Sequence, residues 1–117
     1  MSAFTRAAYE KFVSGLPGVT LHEQWGGVVG KVGGKVFVLF GLETSVVVFK
    51  VTEMSFAGLT TIEGIEQAAY FAKGQWVGVQ KRAKLPVKDL RAYIARSHEL
   101  VAANLTKKLR AELGLEG

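Results

Sequence analysis

The sequence predicts an α+β fold, an antiparallel sheet with helices over one of its faces. Three observations predict it: a central apolar stretch cut by glycine turns, a second strand-like region near Trp76, and helical stripes of apolar residues towards both ends. The central stretch is Val28 to Val51. Within it, Val36 to Phe40 and Val46 to Phe49 are short runs of β-branched and aromatic residues, bounded by Gly33-Gly34 and by Gly41 to Thr44. Runs this short between turn signals suit strands, and three antiparallel strands are expected. Gly33-Gly34 supplies the positive φ angles of a two-residue hairpin, which sets Lys31 opposite Val36 and Val32 opposite Lys35. Side chains alternate along a strand, so an all-apolar strand is apolar on both faces. Helices cover one face; a turn or a second copy of the chain must cover the other.

The first helix is expected over Ser2 to Leu16. Phe4, Ala8, Phe12 and Leu16 recur every four residues beside Tyr9 and Val13, Ser2 suits the N-cap, and Pro17-Gly18 ends it. Thr52 to Glu66 reads as a helical turn or two and then a loop at Gly64. Ala68 to Gln80 returns to strand character, with Lys73-Gly74 as the candidate turn and Phe71 opposite Trp76. Pro86 opens the last helix near its first position. Leu90, Ile94, Val101 and Leu105 share one face, but Lys108 falls eighteen residues after Leu90 and would turn onto that buried face. A break at Asn104 to Thr106 follows, with Thr106 capping a short helix over Lys107 to Leu113.

At 117 residues the chain is expected to be one domain, residues 1–117, with a radius of gyration of about 13 Å. No cysteine is present, which excludes disulfide and thiolate chemistry and fits a reducing cytoplasm. No apolar run approaches the roughly 20 residues a membrane span needs. The start is interrupted by Arg6, Glu10 and Lys11, unlike a signal peptide. A cytoplasmic protein without a membrane partner is the expectation. Through Gln80 six basic residues balance six acidic ones, whereas from Lys81 onward nine basic face four acidic, so the net charge of +5 lies in the last third. Such asymmetry favours an anionic partner, nucleic acid first; a solvated helix face is the plainer reading.

No catalytic constellation emerges. The glycines from Gly26 to Gly34 do not make a phosphate loop: Trp25 occupies the required first glycine, Val32 follows the lysine, and a strand rather than a helix comes next. The glycines are expected to relieve crowding around Trp25 and to shape the hairpin. His22 and His98 lack metal-ligand spacing, and Asp89 sits where it favours a helix dipole. Ser97, His98 and Glu99 are consecutive and point about 100° apart on a helix, so they make no relay, and a packed His98 is expected. Neither an enzyme nor a cofactor or metal site is expected.

Leu16-Pro17-Gly18-Val19, Trp25-Gly26, Lys31 to Phe37, Tyr70 to Gly74 with Trp76-Val77, and Leu85-Pro86 through Ser97 to Val101 and Leu105 to Arg110 occur in an order that resembles the YjbR/MmcQ family of small bacterial proteins. The resemblance covers nearly the whole chain. It implies a two-layer α-β3-α-β2-α fold, similar in shape to secretion chaperones and the frataxin-like CyaY proteins, and a double-wing DNA-binding motif. On this chain the matching positions are Lys31 and Lys35 beside the Gly33-Gly34 turn, Lys73 with Gln75 and Trp76, and Lys107, Lys108 and Arg110 in the family's Pro-Lys-Lys-x-Arg segment. Thr106 replaces its proline. Gly30 stands where many members carry a bulky aromatic, which removes an aromatic contact there. The leading expectation is a DNA-binding module that contacts phosphates with weak sequence selectivity, since no recognition helix is visible. The alternative is a protein- or peptide-binding adaptor or a chaperone-like homodimer, which needs an exposed apolar patch. A CyaY-like metal site is weaker, because the acidic residues are scattered. Exposed tryptophans would favour stacking on bases; buried ones would favour the adaptor or a plain core role.

Overall fold

The computed structural model describes residues 4–115. Helix α1 (Arg6–Ser14) leads into four antiparallel strands, β1 (Val19–Gln24), β2 (Gly27–Val32), β3 (Lys35–Gly41) and β4 (Val47–Lys50). Helix α2 (Glu53–Leu59), strands β5 (Ile65–Gln67) and β6 (Trp76–Val79), and helices α3 (Val87–Ala102) and α4 (Lys107–Glu112) complete the chain. The strands make one antiparallel sheet in the order β1-β2-β3-β4-β6-β5. The α+β architecture is therefore as expected, with four strands rather than three in its first run. The added strand, β1, is an edge strand whose residues are all exposed or half-buried. A polar edge leaves no apolar run in the sequence.

Thr5, not Ser2, caps α1: its Oγ1 accepts a bond from the Ala8 amide at 3.2 Å. Ser2 lies outside the described residues. Phe4, just before the cap, packs edge-on against Tyr9 with ring centroids 6.1 Å apart, a hydrophobic staple that sets how the chain enters the helix. The buried stripe is centred on Tyr9 and Val13, and Ala8, Phe12 and Leu16 flank it half-buried. Burial pushes the Tyr9 phenol well above its usual pKa. Its hydroxyl donates to the Val28 carbonyl at 2.8 Å, tying the helix to β2.

Helix α3 runs over the same face of the sheet. Leu90, Ile94, Ser97, His98 and Val101 point inward, and the Tyr93 ring stacks on Phe49 of β4. The buried Ser97 hydroxyl donates to the Lys50 carbonyl of β4. His98 Nε2 lies 2.7 Å from the Pro17 carbonyl, and its ring meets Phe37 edge-on. Glu99 pairs with Arg96 at 3.1 Å. Three consecutive polar residues thus serve three separate structural contacts, and no relay forms among them. The helix stops at Ala102, and Thr106 Oγ1 accepts from the Leu109 amide at 3.1 Å to start α4, so the expected break and cap are present.

The β2–β3 hairpin has the expected register, with Lys31 opposite Val36 and Val32 opposite Lys35. Gly33 and Gly34 adopt φ of 59° and 80°. One β-bulge interrupts the pairing beyond Lys31, where β3 contributes an extra residue. The two turn glycines differ in surroundings. A methyl group on Gly33 would meet Leu105 Cδ1 at 2.7 Å and Leu109 Cδ2 at 3.2 Å, whereas one on Gly34 would meet nothing within 4 Å. Gly33→Ala is therefore expected to cost about 1–3 kcal/mol through both overpacking and a strained φ, and Gly34→Ala only about 1 kcal/mol of strain. Urea unfolding of the two variants checks this; equal losses would mean that α4 is not seated on the hairpin.

Candidate functional site

Which face each strand residue occupies follows from the helix contacts. Val28, Phe49 and Val77 face α1 and α3, so Val29, Lys31, Leu39, Val48, Lys50, Trp76 and Gly78 face the other way. The connection from Ala68 to Gln75 lies against this second face. It is not the expected hairpin: β5 and β6 pair only as far as Gln67 and Val77, and Lys73-Gly74 does not join paired strands directly. Gln67 shapes it instead. The Gln67 carboxamide donates towards the carbonyls of Ala68, Phe71 and Ala72 at 2.9, 3.2 and 3.3 Å and accepts from the Gly74 amide at 2.9 Å. Side-chain bonding of this kind replaces a strand ladder with a closed loop.

That loop carries Phe71 over the sheet. Its ring lies 4.5 Å from Trp76 and 6.4 Å from Trp25. The expected Phe71–Trp76 contact exists, therefore, but as a loop residue folded onto a strand residue. Trp25 is not crowded by its glycines either. It forms the β1–β2 turn with Gly26, at φ of 57° and 72°, and is 64% exposed. Between these groups is an apolar cleft of about 650 Å³, floored by Leu39, Val46 and Val48. Tyr70, fully exposed and at φ of 68°, stands on its rim. Sequence reading named Trp25 and Phe71 but missed the cleft, because nothing in a linear pattern says that the Gln67 amide will fold the connection back.

The lysines gather at a different place. Lys31 is the last residue but one of β2, Lys35 begins β3, Lys50 ends β4 opposite Trp76 at the start of β6, and all four positions belong to one end of the sheet. Lys73 and Gln75, both exposed, sit in the connection that leads into Trp76. Helix α4 adds Lys107 and Lys108 at the same end, since Leu105 and Leu109 close on Gly33. None of these six lysines forms an ion pair among the described residues, where the four pairs use Arg6, Arg82 and Arg96. Arg110 behaves differently. It is half-buried among Leu16, Pro17, His98 and Leu115, and its Nε is enclosed without a hydrogen-bond partner. The basic last third is thus split: Arg82 and Arg96 are paired, Arg91 lies 6.0 Å over the Phe12 ring, and Lys107 and Lys108 join lysines from the balanced part of the chain.

Gly30 faces α1, where an added methyl would meet Val13 Cγ1 at 2.9 Å and Val38 Cγ1 at 2.8 Å. A bulky aromatic at this position would collide with the helix rather than reach solvent. Among the described residues no group of three His, Asp or Glu could hold a metal ion, and no helix is long and apolar enough to cross a membrane.

The YjbR family model matches residues 14–100. The chain belongs to the YjbR family. No curated protein matches it. Among solved structures, this YjbR chain is similar to Deinococcus radiodurans protein DR2400, which carries the domain DUF419, at 22% identity and a TM-score of 0.87, covering 96% of this chain and 89% of that one. It is also similar to a protein from Pseudomonas syringae at 18% identity and a TM-score of 0.69, covering 83% of this chain and 98% of that one. At such identities the likeness is one of fold. The matched span in this YjbR domain holds Trp25, Gln67, Phe71, Trp76 and four of the six lysines, Lys31, Lys35, Lys50 and Lys73, while α4 with Lys107 and Lys108 follows it.

Gln67→Ala is expected to release the connection and cost about 1–3 kcal/mol, because one side chain satisfies several backbone groups there. Its tryptophan emission should shift to longer wavelength as Phe71 leaves Trp76. Emission and unfolding midpoint both unchanged would show that the loop does not depend on Gln67.

Proposed function

We propose that this YjbR domain binds DNA, contacting phosphates through the lysine-rich end of its sheet. One observation carries the reading: Lys31, Lys35, Lys50 and Lys73 share an end of the sheet with Lys107 and Lys108, and none is neutralised by a described carboxylate. Unpaired cations brought together by folding attract a polyanion and release its counterions on contact. The β2–β3 hairpin tip and the start of α4 supply one group, and the Lys73–Trp76 segment beside Lys50 supplies the other. Trp76 is half-buried beneath Phe71, so its part is to hold the Lys73 and Gln75 backbone in place rather than to stack freely on a base. Arg110, half-buried, contributes less than Lys107 and Lys108. No recognition helix is evident among the described residues, so binding is expected to be sensitive to salt and nearly indifferent to sequence.

Fluorescence anisotropy with labelled duplex DNA across a salt series tests this. Replacing Lys31, Lys35, Lys107 and Lys108 together by alanine should lower the slope of log affinity against log salt by about three to four, while Arg82→Ala, which removes a paired cation, should leave it unchanged. An unchanged slope in the fourfold variant would take these lysines out of the interface. No binding even at low salt would overturn the reading and leave the adaptor or homodimer alternative in its place.

A further inference from the structure

The cleft on the second face of the sheet is chemically unlike the lysine end. At about 650 Å³ it falls within the range of small-molecule pockets, roughly 300–1,000 Å³. Three aromatic rings, Trp25, Tyr70 and Phe71, border its apolar floor. In a chain of net charge +5, no lysine or arginine lines it, and its single charged lining residue is Glu66. The two carboxamides of the wall offer little to a ligand. Gln67 spends its donors and its acceptor on the connection's own backbone, and Gln80 gives its oxygen to Arg82 at 2.9 Å. Gln80 Nε2 reaches Glu66 only at 3.5 Å, and no ion pair among the described residues uses that carboxylate. Glu66 therefore keeps most of its accepting capacity.

We propose that this cleft binds a small aromatic amine in its ammonium form, with the ring on the Leu39–Val48 floor and the cation directed to Glu66. Aromatic faces attract cations, and a carboxylate gives an ammonium donor a charge-assisted hydrogen bond, so rings and acid select the same ligand. The backbone strain has the same focus. Trp25 and Tyr70, two of the three non-glycine residues at positive φ among the described residues, both border this cleft, where L side chains hold such angles at a cost. The site does not rest on the DNA reading, since none of its lining residues belongs to the lysine end.

Isothermal titration of the full chain with 2-phenylethylamine, 2-phenylethanol and 3-phenylpropionate tests it. The amine should bind about tenfold more tightly than the alcohol and the carboxylate should bind least, because only the charge differs greatly among the three. Glu66→Gln, at an exposed position, should abolish the preference for the amine without lowering the unfolding midpoint. Trp25→Ala should weaken the amine more than the alcohol, because it removes one of the ring faces that attract the cation. The fourfold lysine variant should bind the amine as the parent does, which separates this site from the DNA surface. Equal affinities for all three compounds, no binding at millimolar concentration, or an amine preference that survives Glu66→Gln would overturn the proposal.

Discussion

Strands β3 and β4 carry apolar side chains on both faces, and that constraint shapes the rest of the molecule. Helices α1 and α3 cover one face through Tyr9, Val13, Leu90 and Ile94, and the Ser97 and His98 bonds to Lys50 and Pro17 hold α3 in register with sheet and loop. The other face keeps Leu39, Val46 and Val48, which lie outside that core cluster. Apolar surface left in water is unfavourable by about 25 cal/mol per Å². The Gln67-shaped connection answers this in part by laying Phe71 between the two tryptophans. Cover that is only partial leaves a cleft.

The same economy explains where the lysines come together. A two-residue turn at Gly33-Gly34 brings the hairpin tip to a point, and the missing side chain at Gly33 lets Leu105 and Leu109 close on it. The break after Ala102 turns the chain there, so α4 seats its leucines and leaves Lys107 and Lys108 exposed. Lysines far apart in the chain come to one end of the sheet because the strand pairing and the packing of Leu105 and Leu109 on Gly33 require it. Charge did not drive that arrangement, since like charges brought together repel. A fold that tolerates such repulsion without pairing it gives a polyanion something to relieve.

Much of the architecture was legible in local patterns, because turn glycines, β-branched runs and a helix cap each act over a few residues. The Gly33-Gly34 register, the Thr106 cap and the interruption before Lys107 are of that kind. Strand β1 was not legible as part of the sheet, since an edge strand alternates with polar groups and needs its neighbour to be recognised. Trp25 was misplaced for a related reason: a tryptophan among glycines suggests a packed ring, whereas the φ of 57° puts it in the turn and outward. At the candidate sites, the lysine positions could be named from the sequence, but their meeting depends on contacts more than seventy residues apart, such as Gly33 with Leu105. The aromatic cleft depends on a side chain bonding its own backbone across seven residues, from Gln67 to Gly74. Neither leaves a periodic trace.

Amide chemical-shift mapping of the isotope-labelled chain with duplex DNA tests the central claim most directly. Phosphate contact at the lysine end predicts shifts concentrated at Lys31 to Lys35, Lys73 to Trp76 and Thr106 to Lys108, with Val46, Glu66 and Tyr70 unaffected. Shifts confined to the cleft residues, or spread over the exposed side of α3 around Lys88 and Arg91, would contradict it.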